Sequence, residues 1–329
     1  MCPAMTPLPD PAPDDTYQAR FDRRWGSLRH ARVRALAWLL DAPNLLDAGD
    51  PCWQGKVMTL APVTPDVARW LFALDHHPAP LDAALGERAY TRLGLYAEKL
   101  MAFYFKEQGS LVAHSLQVRA SRNDTVGEFD FLLDAGADGV EHIEFATKFY
   151  LLQRPDPDDL DALVGPNLAD SLGAKMRKIV ERQLVLGQHP AAQAQLPRPV
   201  VRARALVKGW LFYPLPAPAA PAGAMRGIDP AHCRGFWCAI DDIDLLPDAI
   251  FLVLPKLQWL APFRATSAPA MQTRAALHAT LSAQFETADG PVLVAMLRQE
   301  AGYVVECDRG FIVPTTWRTK AATKPLPVN

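Results

Sequence analysis

The sequence predicts an α/β fold for the central part of the chain. Across 82–214 the hydrophobic pattern changes from helical spacing to three alternating runs, and it returns to helical spacing before a further strand-like run. The order helix, three strands, helix, strand is typical of an α/β domain. A length of 329 residues and an apolar fraction of 50% are sufficient to bury a sizeable core.

The chain begins with a proline-rich stretch, and 1–16 is predicted to be a disordered leader because it has few residues that could form a core. An N-terminal helical segment is predicted over 17–81. Within it, Val33, Leu36 and Leu40 recur at helical spacing, and 65–74 has the pattern of a second short helix.

The longest helical signal of the α/β region runs from Leu81 to Gly109, and the glycine is predicted to end the helix. Across 93–105 the only charged residues are Glu98 and Lys99. A helix that is apolar nearly all round is expected to be buried. We therefore expect the lone carboxylate of Glu98 to face a polar site.

Three consecutive strands are predicted over 111–120, 127–134 and 142–152, because each run alternates and is bounded by Asn, Asp or Gly. An amphipathic helix is then predicted over 169–187, with a stripe made of Leu172, Met176, Ile179, Val180, Gln183 and Leu184. A further strand is predicted over 200–214.

The segment 214–224 is rich in Ala and Pro and is predicted to be a domain boundary. Beyond it, 225–329 is predicted to form a C-terminal α+β module. Its expected elements are strands at 236–240, 249–255 and 303–314 and a helix over 270–285.

The predicted strands carry a set of charged residues in mid-strand. Alternation places Glu128 and Asp130 on one face of the second strand and Phe129, Phe131 and Leu133 on the other. On the third strand, Glu144 and Lys148 share a face. Charges in such places need partners or a bound cation.

Carboxylates from adjacent strands are suitable ligands for Mg²⁺ or Mn²⁺, because such cations take oxygen ligands and retain several waters. A nearby lysine could stabilise the charge that develops on a phosphate. Glu98 is the expected fourth member of this site. For Glu128, a solvated position at the start of a strand is the favoured interpretation.

The runs GLYAEKLMAFYFKEQG, GEFDFLL and HIEFATK resemble the PD-(D/E)XK nuclease superfamily. Over 82–214 this resemblance implies a restriction-endonuclease-like α-β-β-β-α-β core. It implies that Asp130, Glu144 and Glu98 bind a metal and that Lys148 joins them as a catalytic residue. The third place of the E-x-K pattern is Ala146, with Lys148 two residues further along the same face. The whole chain also resembles a bacterial family, the domain of unknown function 1853 family.

A nucleic-acid partner is predicted from local charge. The formal net charge is only −2, so no protein-wide field attracts nucleic acid. However, Glu181 is the only acid across 175–208, a stretch rich in Lys and Arg. Residues expected to contact DNA or RNA phosphates are Lys175, Arg177, Lys178 and Arg182. The solvated face of an amphipathic helix is the alternative explanation.

The cysteines, the aromatic residues and the lack of a membrane-spanning stretch indicate which kinds of protein this chain is not expected to be. Five cysteines with no CxxC pair favour neither a disulfide framework nor a zinc ribbon, so Cys233 and Cys238 are expected to be buried free thiols. The aromatic residues around Trp210 are expected to serve packing rather than base stacking. The sequence has neither a signal peptide pattern nor an apolar stretch long enough to span a bilayer, so we expect a cytoplasmic location and no membrane partner.

These observations predict a metal-dependent phosphodiesterase, a nuclease acting on DNA or RNA. The alternative is a catalytically degenerate nuclease-fold protein that serves as a nucleic-acid-binding or protein-binding scaffold, in which the same charged residues form a structural ion-pair network. A purely structural role, with 225–329 as an oligomer interface, is a third hypothesis. The sequence predicts no oligomeric state.

Overall fold

The computed structural model of the chain describes residues 16–323, except 87–89, 123, 155, 157, 217–224 and 268–269. The predicted disordered leader therefore lies outside the described residues, apart from Thr16. The Thr16 hydroxyl accepts a hydrogen bond from the Ala19 backbone N–H at 3.2 Å and caps the first helix.

The helices are α1 (Tyr17–Trp25), α2 (Ala31–Asp41), α3 (Pro65–His76), α4 (Ala79–Leu85), α5 (Leu93–Glu107), α6 (Leu172–Lys178), α7 (Pro190–Gln193), α8 (Arg274–Phe285) and α9 (Trp317–Thr323). A π turn at Ile179–Gln183 continues α6. Short 3₁₀ turns lie at Pro51–Trp53, Gly136–Asp138, Leu160–Ala162, Leu186–Gln188, Ile240–Leu245 and Lys256–Gln258.

The strands are β1 (Leu111–Ser121), β2 (Asp124–Asp134), β3 (Val140–Leu152), β4 (Leu163–Val164), β5 (Val200–Pro214), β6 (Cys233–Ala239), β7 (Ile250–Val253), β8 (Arg264–Ala265), β9 (Gln272–Thr273), β10 (Val292–Glu300) and β11 (Tyr303–Val313). Within the described residues these eleven strands form one mixed sheet in the order β1-β2-β3-β5-β6-β11-β10-β7-β9, with β4 beside β3 and β8 beside β11.

The predicted α/β class is confirmed as a mixed α/β fold. The order α5, β1, β2, β3, α6, β5 follows the predicted order of elements, with the short β4 added before α6. The antiparallel hairpins β1-β2 and β2-β3 are followed by a parallel pairing of β3 with β5. A parallel pairing requires a long crossover connection, and α6 lies within it.

One predicted helix is wrong, and one long strand was missed. The helix predicted from Leu81 to Gly109 is two helices, because Gly86 at the end of α4 has φ +74, in the left-handed region that ends helices. Strand β10 was not predicted, although its Val292, Val294 and Leu297 are buried. Its nearly continuous apolar run gives little alternation to detect.

The core lies on both faces of the sheet. On β3, Ile143, Phe145 and Phe149 pack with α2 and α5, whereas Ala146 and Tyr150 pack with α6 on the opposite face. α8 covers the far end of the sheet on the face that α6 also covers. The two faces together bury the middle of β3, which explains why a charge there needs a partner.

The sheet continues across the boundary predicted at 214–224, because β5 pairs in parallel with β6 through Trp210–Cys233 to Pro214–Trp237. Most of that boundary lies outside the described residues. The division into a nuclease-like core and a C-terminal module stays a prediction about folding units. No helix in the described part of the chain is long and apolar enough to cross a membrane.

The predicted roles of the cysteines and the aromatic residues agree with the structure. Cys233 and Cys238 are buried free thiols. Trp210 is fully buried and stacks on Trp38 with ring centroids 6.4 Å apart. These aromatic side chains therefore belong to the packed core.

Candidate active site

A cleft of about 630 Å³ opens beside the sheet where β2 and β3 separate. Its acidic lining residues are Glu98, Glu128, Asp130, Glu144 and Asp170. Its basic lining residues are Arg92, Lys148, Lys175 and Lys178. The structure thus brings together all four predicted catalytic residues, one each from α5 and β2 and two from β3.

The cleft exists because the β2-β3 ladder ends early. The last backbone pair at this end is Phe131 with Ile143. Beyond it, the Phe145 backbone N–H donates to Asp130 Oδ2 at 2.9 Å, so the carboxylate accepts a hydrogen bond that a regular ladder would give to a carbonyl. This contact fixes one oxygen of Asp130 at the point of separation.

The alternation predicted for β2 is wrong at Asp130. Phe131 packs against Phe105, at 5.2 Å between ring centroids, in the cluster on the α5 side. Phe129 instead contacts His142, at 4.7 Å, in a separate cluster that also contains Leu132. Phe129 and Phe131 therefore lie on opposite faces, and the switch between the faces occurs at Asp130.

The neighbouring strand switches faces at the same level. The register of β1 with β2 places Ser115 opposite Asp130, between the pairs His114–Phe131 and Leu116–Phe129. Ser115 has φ +50, a left-handed conformation that costs free energy for a residue other than glycine. The strained residue points its hydroxyl into the cleft, where Oγ donates to Glu98 Oε1 at 3.0 Å.

Glu98 is held by two donors from β1. Besides the Ser115 hydroxyl, His114 Nε2 lies 2.8 Å from Glu98 Oε1. The His114 ring stacks on Phe131 with centroids 5.3 Å apart, so its orientation is fixed by the core. The prediction that Glu98 faces a polar site agrees with its position in the cleft wall, where its side chain is 19% exposed.

Glu144 is the most deeply buried acid of the cleft, at 2% exposure. Gln183 Nε2 donates to its Oε1, while its Oε2 has no hydrogen-bond partner among the described residues. Burial raises the pKa of Glu144, and repulsion from Asp130 raises it further. Burial also raises the pKa of Asp130, against the lowering effect of the Phe145 hydrogen bond.

Two of the three lysines of the cleft, Lys148 and Lys175, have different environments. Lys148 Nζ lies 2.6 Å from Oδ2 of Asp170, a residue of the loop before α6. Lys175 Nζ, from α6, lies 3.8 Å from Glu144 Oε1 and 3.2 Å from Gln183 Oε1. Burial lowers the pKa of Lys175. The lysine in contact with a predicted metal ligand is therefore Lys175, which was predicted only as a phosphate contact.

The residues predicted to bind nucleic acid are divided between surfaces. Lys175 and Lys178 line the cleft. Arg177 faces a different depression, where it pairs with Asp161 at 2.9 Å, and Arg182 is exposed. The basic stretch also ends in Lys208, which is 2% exposed and donates to the Ala42 carbonyl at 2.5 Å. Lys208 cannot contact a phosphate, because it is enclosed in the core.

The carboxylates can supply part of a metal site. Within the described ranges, no group of three or more His, Cys, Asp or Glu is arranged to hold a metal ion by itself. Mg²⁺ commonly takes only one or two carboxylates and completes its shell with waters and phosphate oxygens. Asp130 and Glu144 fit that smaller requirement, because they are hard oxygen donors on adjacent strands and Glu144 Oε2 is left without a donor by the residues described.

Five residues of the site were not predicted: Arg92, His114, Ser115, Asp170 and Gln183. Gln183 carried a signal, because it was a polar residue within an otherwise apolar helical stripe. Asp170 precedes Ser171, whose hydroxyl caps α6 by accepting from the Ala174 N–H at 3.1 Å. The pattern of a helix start was visible there, but the contact with Lys148 depends on the tertiary structure.

Comparison with known families gives one match. The family model described as Domain of unknown function (DUF1853) matches residues 34–313, which include the whole cleft. Neither the curated proteins nor the solved structures contain a match to the chain.

Proposed function

Because this chain belongs to the DUF1853 family, whose name assigns no reaction, we propose from the cleft that it is a metal-dependent phosphodiesterase, a nuclease acting on DNA or RNA. One observation carries the proposal. Glu144 Oε2 is buried without a hydrogen-bond partner in the described structure, and the residues Glu144 and Asp130 both line an open cleft that lysines also line. An unpartnered buried carboxylate oxygen is costly unless a cation or proton binds it.

The order and pairing of the elements support a relationship to the PD-(D/E)XK nuclease superfamily. Helix α5, the antiparallel strands β1 to β3, helix α6 and the parallel strand β5 follow the order implied for a restriction-endonuclease-like core. In that interpretation the separation of β2 from β3 is the site of chemistry. The separation, the strained Ser115 and the buried Glu144 all lie there.

Asp130 and Glu144 are proposed to hold Mg²⁺ or Mn²⁺, with Glu98 positioned to orient a water. When bound, such a cation supplies Lewis acidity and lowers the pKa of a coordinated water. Glu98 is suited to its role because His114 and Ser115 fix one carboxylate oxygen in place. Lys148 and Lys175 are the two candidates for stabilising the negative charge that develops on the phosphate.

The substrate is proposed to be a nucleic-acid strand bound mainly through its phosphates. Lys178 and Arg92 at the cleft could contact the backbone, and Arg177 and Arg182 could extend the contact along the surface. Such contacts give affinity without reading sequence. We therefore expect binding that weakens as the salt concentration rises.

The test is cleavage by the purified full-length chain. Single-stranded and double-stranded DNA and RNA are incubated with Mg²⁺, Mn²⁺ or EDTA. We expect cleavage that requires metal and is lost in the Asp130→Ala/Glu144→Ala double variant. The matched control is Asp134→Ala, which removes an exposed acid of the same strand that pairs with Arg198 at 2.7 Å outside the cleft. Equal cleavage by the wild type and the double variant would overturn the proposal.

A second candidate is the degenerate scaffold, and the Lys148–Asp170 contact favours it. The lysine nearest in sequence to the expected position is already paired with an acid that the predicted site does not include. Calorimetric titration with Mn²⁺ separates the two candidates. Nucleic-acid binding that is tight and independent of metal, together with no Mn²⁺ binding, would favour the scaffold.

A further inference from the structure

We infer that Lys175 of α6, rather than Lys148 of β3, is the lysine that binds the reacting phosphate. The inference rests on the proposed phosphodiesterase function and deepens it. It assigns a catalytic role to a residue outside the strand motif. It also assigns Lys148 to the support of the cleft wall.

Lys148 is paired with Asp170, a carboxylate that is not one of the predicted metal ligands. Its ammonium lies 2.6 Å from Asp170 Oδ2, and the Tyr150 hydroxyl donates to the same oxygen at 3.2 Å. Asp170 lies in the loop that leads into α6. The pair therefore ties β3 to the start of the crossover helix, and binding a phosphate would require Lys148 to leave its counter-ion.

Lys175 lies beside the carboxylate of Glu144. Its ammonium lies 3.8 Å from Glu144 Oε1, and its side chain is 19% exposed in the cleft wall. That distance is at the limit of an ion pair and longer than a hydrogen bond, so the ammonium can turn its donors to a ligand in the cleft. A phosphate oxygen beside Glu144 would lie within reach of the same ammonium.

The π turn after α6 supports this arrangement. At about 100° per residue, eight residues of regular helix would leave Gln183 about 80° from Lys175 around the axis. A π turn inserts one extra residue, so the residues after it are rotated back by about 100° around the helix axis. Gln183 is thereby brought to within about 20° of the direction of Lys175. The Leu184 N–H to Ile179 carbonyl bond at 2.9 Å is the i to i+5 bond of that turn.

The re-phased helix presents two side chains to one carboxylate. Gln183 Nε2 donates to Glu144 Oε1, and Gln183 Oε1 accepts from Lys175 at 3.2 Å. Gln183 thus positions both the carboxylate and the lysine. A regular helix over the same residues would not make both contacts, and single π turns are frequent at functional sites.

The step assigned to Lys175 requires no further reactant than water. In hydrolysis a water oxygen forms a bond to phosphorus, and one phosphorus–oxygen ester bond breaks. A proton lost by the water is matched by the proton that the leaving oxygen gains, and nothing is oxidised or reduced. Lys175 keeps its proton throughout and stabilises the extra negative charge on the phosphate oxygens as the bonds change.

The experiment compares Lys175→Met with Lys148→Met in the full-length chain, with exposed Lys106→Met as the control. For Lys175→Met we expect kcat to fall by about 100-fold or more, as for loss of a preorganised charge at the reacting group. For Lys148→Met we expect a loss of less than about 5-fold, the scale of a partly exposed ion pair. Lys175→Arg should recover part of the rate because it restores the charge.

A second readout does not depend on turnover. Inorganic phosphate is titrated into each variant with Mg²⁺ present, and binding is followed by calorimetry. Lys175→Met should weaken phosphate binding by about 10-fold or more, and Lys148→Met should not. Urea unfolding shows whether each variant is folded. If Lys175→Met does not fold, Lys175→Arg, which keeps the positive charge, is used instead.

The assignment is overturned if Lys148→Met loses as much rate or phosphate affinity as Lys175→Met, or more. The proposed function fails separately, if the wild-type chain cleaves no nucleic acid in any metal. In that case the phosphate titration still decides which lysine binds the anion, because it needs no turnover.

Discussion

The Gln183 amide donates a hydrogen bond to Glu144 Oε1, and this contact joins the π turn after α6 to the buried carboxylate of β3. It leaves the other oxygen of Glu144 without a donor in the part of the chain that the structure describes. The carboxylate is therefore held by a hydrogen bond at one oxygen, while the other oxygen is buried 3.9 Å from His142 Nε2. Three predictions concern this site and its supports, and a fourth concerns His232, away from the cleft.

Gln183→Leu is expected to lower the free energy of unfolding by about 1–3 kcal/mol, because a buried acceptor then loses its donor. Urea unfolding near pH 7.5 measures the effect. The matched control is Gln188→Leu, at an exposed position just beyond the π turn. If both variants lose the same stability, the Gln183–Glu144 contact does not support the fold.

Asp130→Asn is expected to stabilise the metal-free protein by about 1–2 kcal/mol, because functional sites commonly hold mutually repelling groups at a cost in stability. The asparagine Oδ1 can still accept from the Phe145 N–H, so the strand contact is retained. Thermal unfolding is measured in EDTA and again with Mn²⁺.

With Mn²⁺ present, the wild type should become more stable than Asp130→Asn. A ligand that binds only the folded state raises its stability, and the wild type should gain this stabilisation while Asp130→Asn should not. A variant that is destabilised in EDTA, or that gains as much from Mn²⁺ as the wild type, would show that Asp130 is an ordinary structural acid.

Ser115 provides a test of backbone strain. Ser115→Ala and Ser115→Gly both remove the hydroxyl that donates to Glu98, but only glycine accepts φ +50 without a steric penalty. We expect Ser115→Gly to be more stable than Ser115→Ala by about 1 kcal/mol. Urea unfolding of the two variants checks this. Equal stabilities would mean that the left-handed conformation at this position is not strained.

The sequence was sufficient to predict the α/β class and the order of the central elements, because periodicity and turn residues are local signals. It placed Glu98, Asp130 and Glu144 as candidates for one site, and in the structure the three line one cleft. Alternation alone was enough for β3, where Glu144 and Lys148 do not join the cluster of Ile143, Phe145 and Phe149 on the α5 side. The same rule failed for β2.

The failures have non-local causes. The face switch at Asp130 depends on the left-handed Ser115 of the neighbouring strand, which no pattern in β2 reveals. The position of Gln183 relative to Lys175 depends on a π turn, which shifts the helical phase without a sequence marker as strong as proline or glycine. The partner of Lys148 is Asp170, 22 residues away along the chain. The first two causes are backbone conformations that periodicity does not reveal, and the third is a tertiary contact.

His232 provides a prediction of acid sensitivity at a place away from the cleft. Its ring is 3% exposed, Nε2 lies 2.7 Å from the Tyr213 hydroxyl, and Nδ1 lies 2.5 Å from the Asp229 carbonyl. A neutral ring that donates from Nδ1 and accepts at Nε2 satisfies both partners. Burial, with a smaller contribution from Arg234, lowers the pKa of His232 to about 4.

Because the pKa of His232 is lowered in the folded state, acid destabilises the folded protein. Because the folded-state pKa of His232 lies below the unfolded value of about 6.5, only the unfolded chain takes up the proton as the pH falls from 6.5 towards 4. The contribution of His232 to the free energy of unfolding is fully present above about pH 6.5. Acidification should reduce that contribution by up to about 3 kcal/mol. His232→Gln keeps a donor and an acceptor but does not titrate, so its free energy of unfolding should fall less steeply over this range.

Urea unfolding at pH 7.5, 6, 5 and 4.5 gives the difference between His232→Gln and the wild type. At pH 7.5 we expect the variant to be less stable than the wild type by about 1 kcal/mol, because glutamine replaces the buried hydrogen bonds imperfectly. As the pH falls, the stability of the variant should rise relative to that of the wild type. The exposed His76→Gln variant should follow the wild type at every pH. Parallel curves for His232→Gln and the wild type would contradict a neutral, buried His232, because a ring that protonates equally in both states contributes no slope.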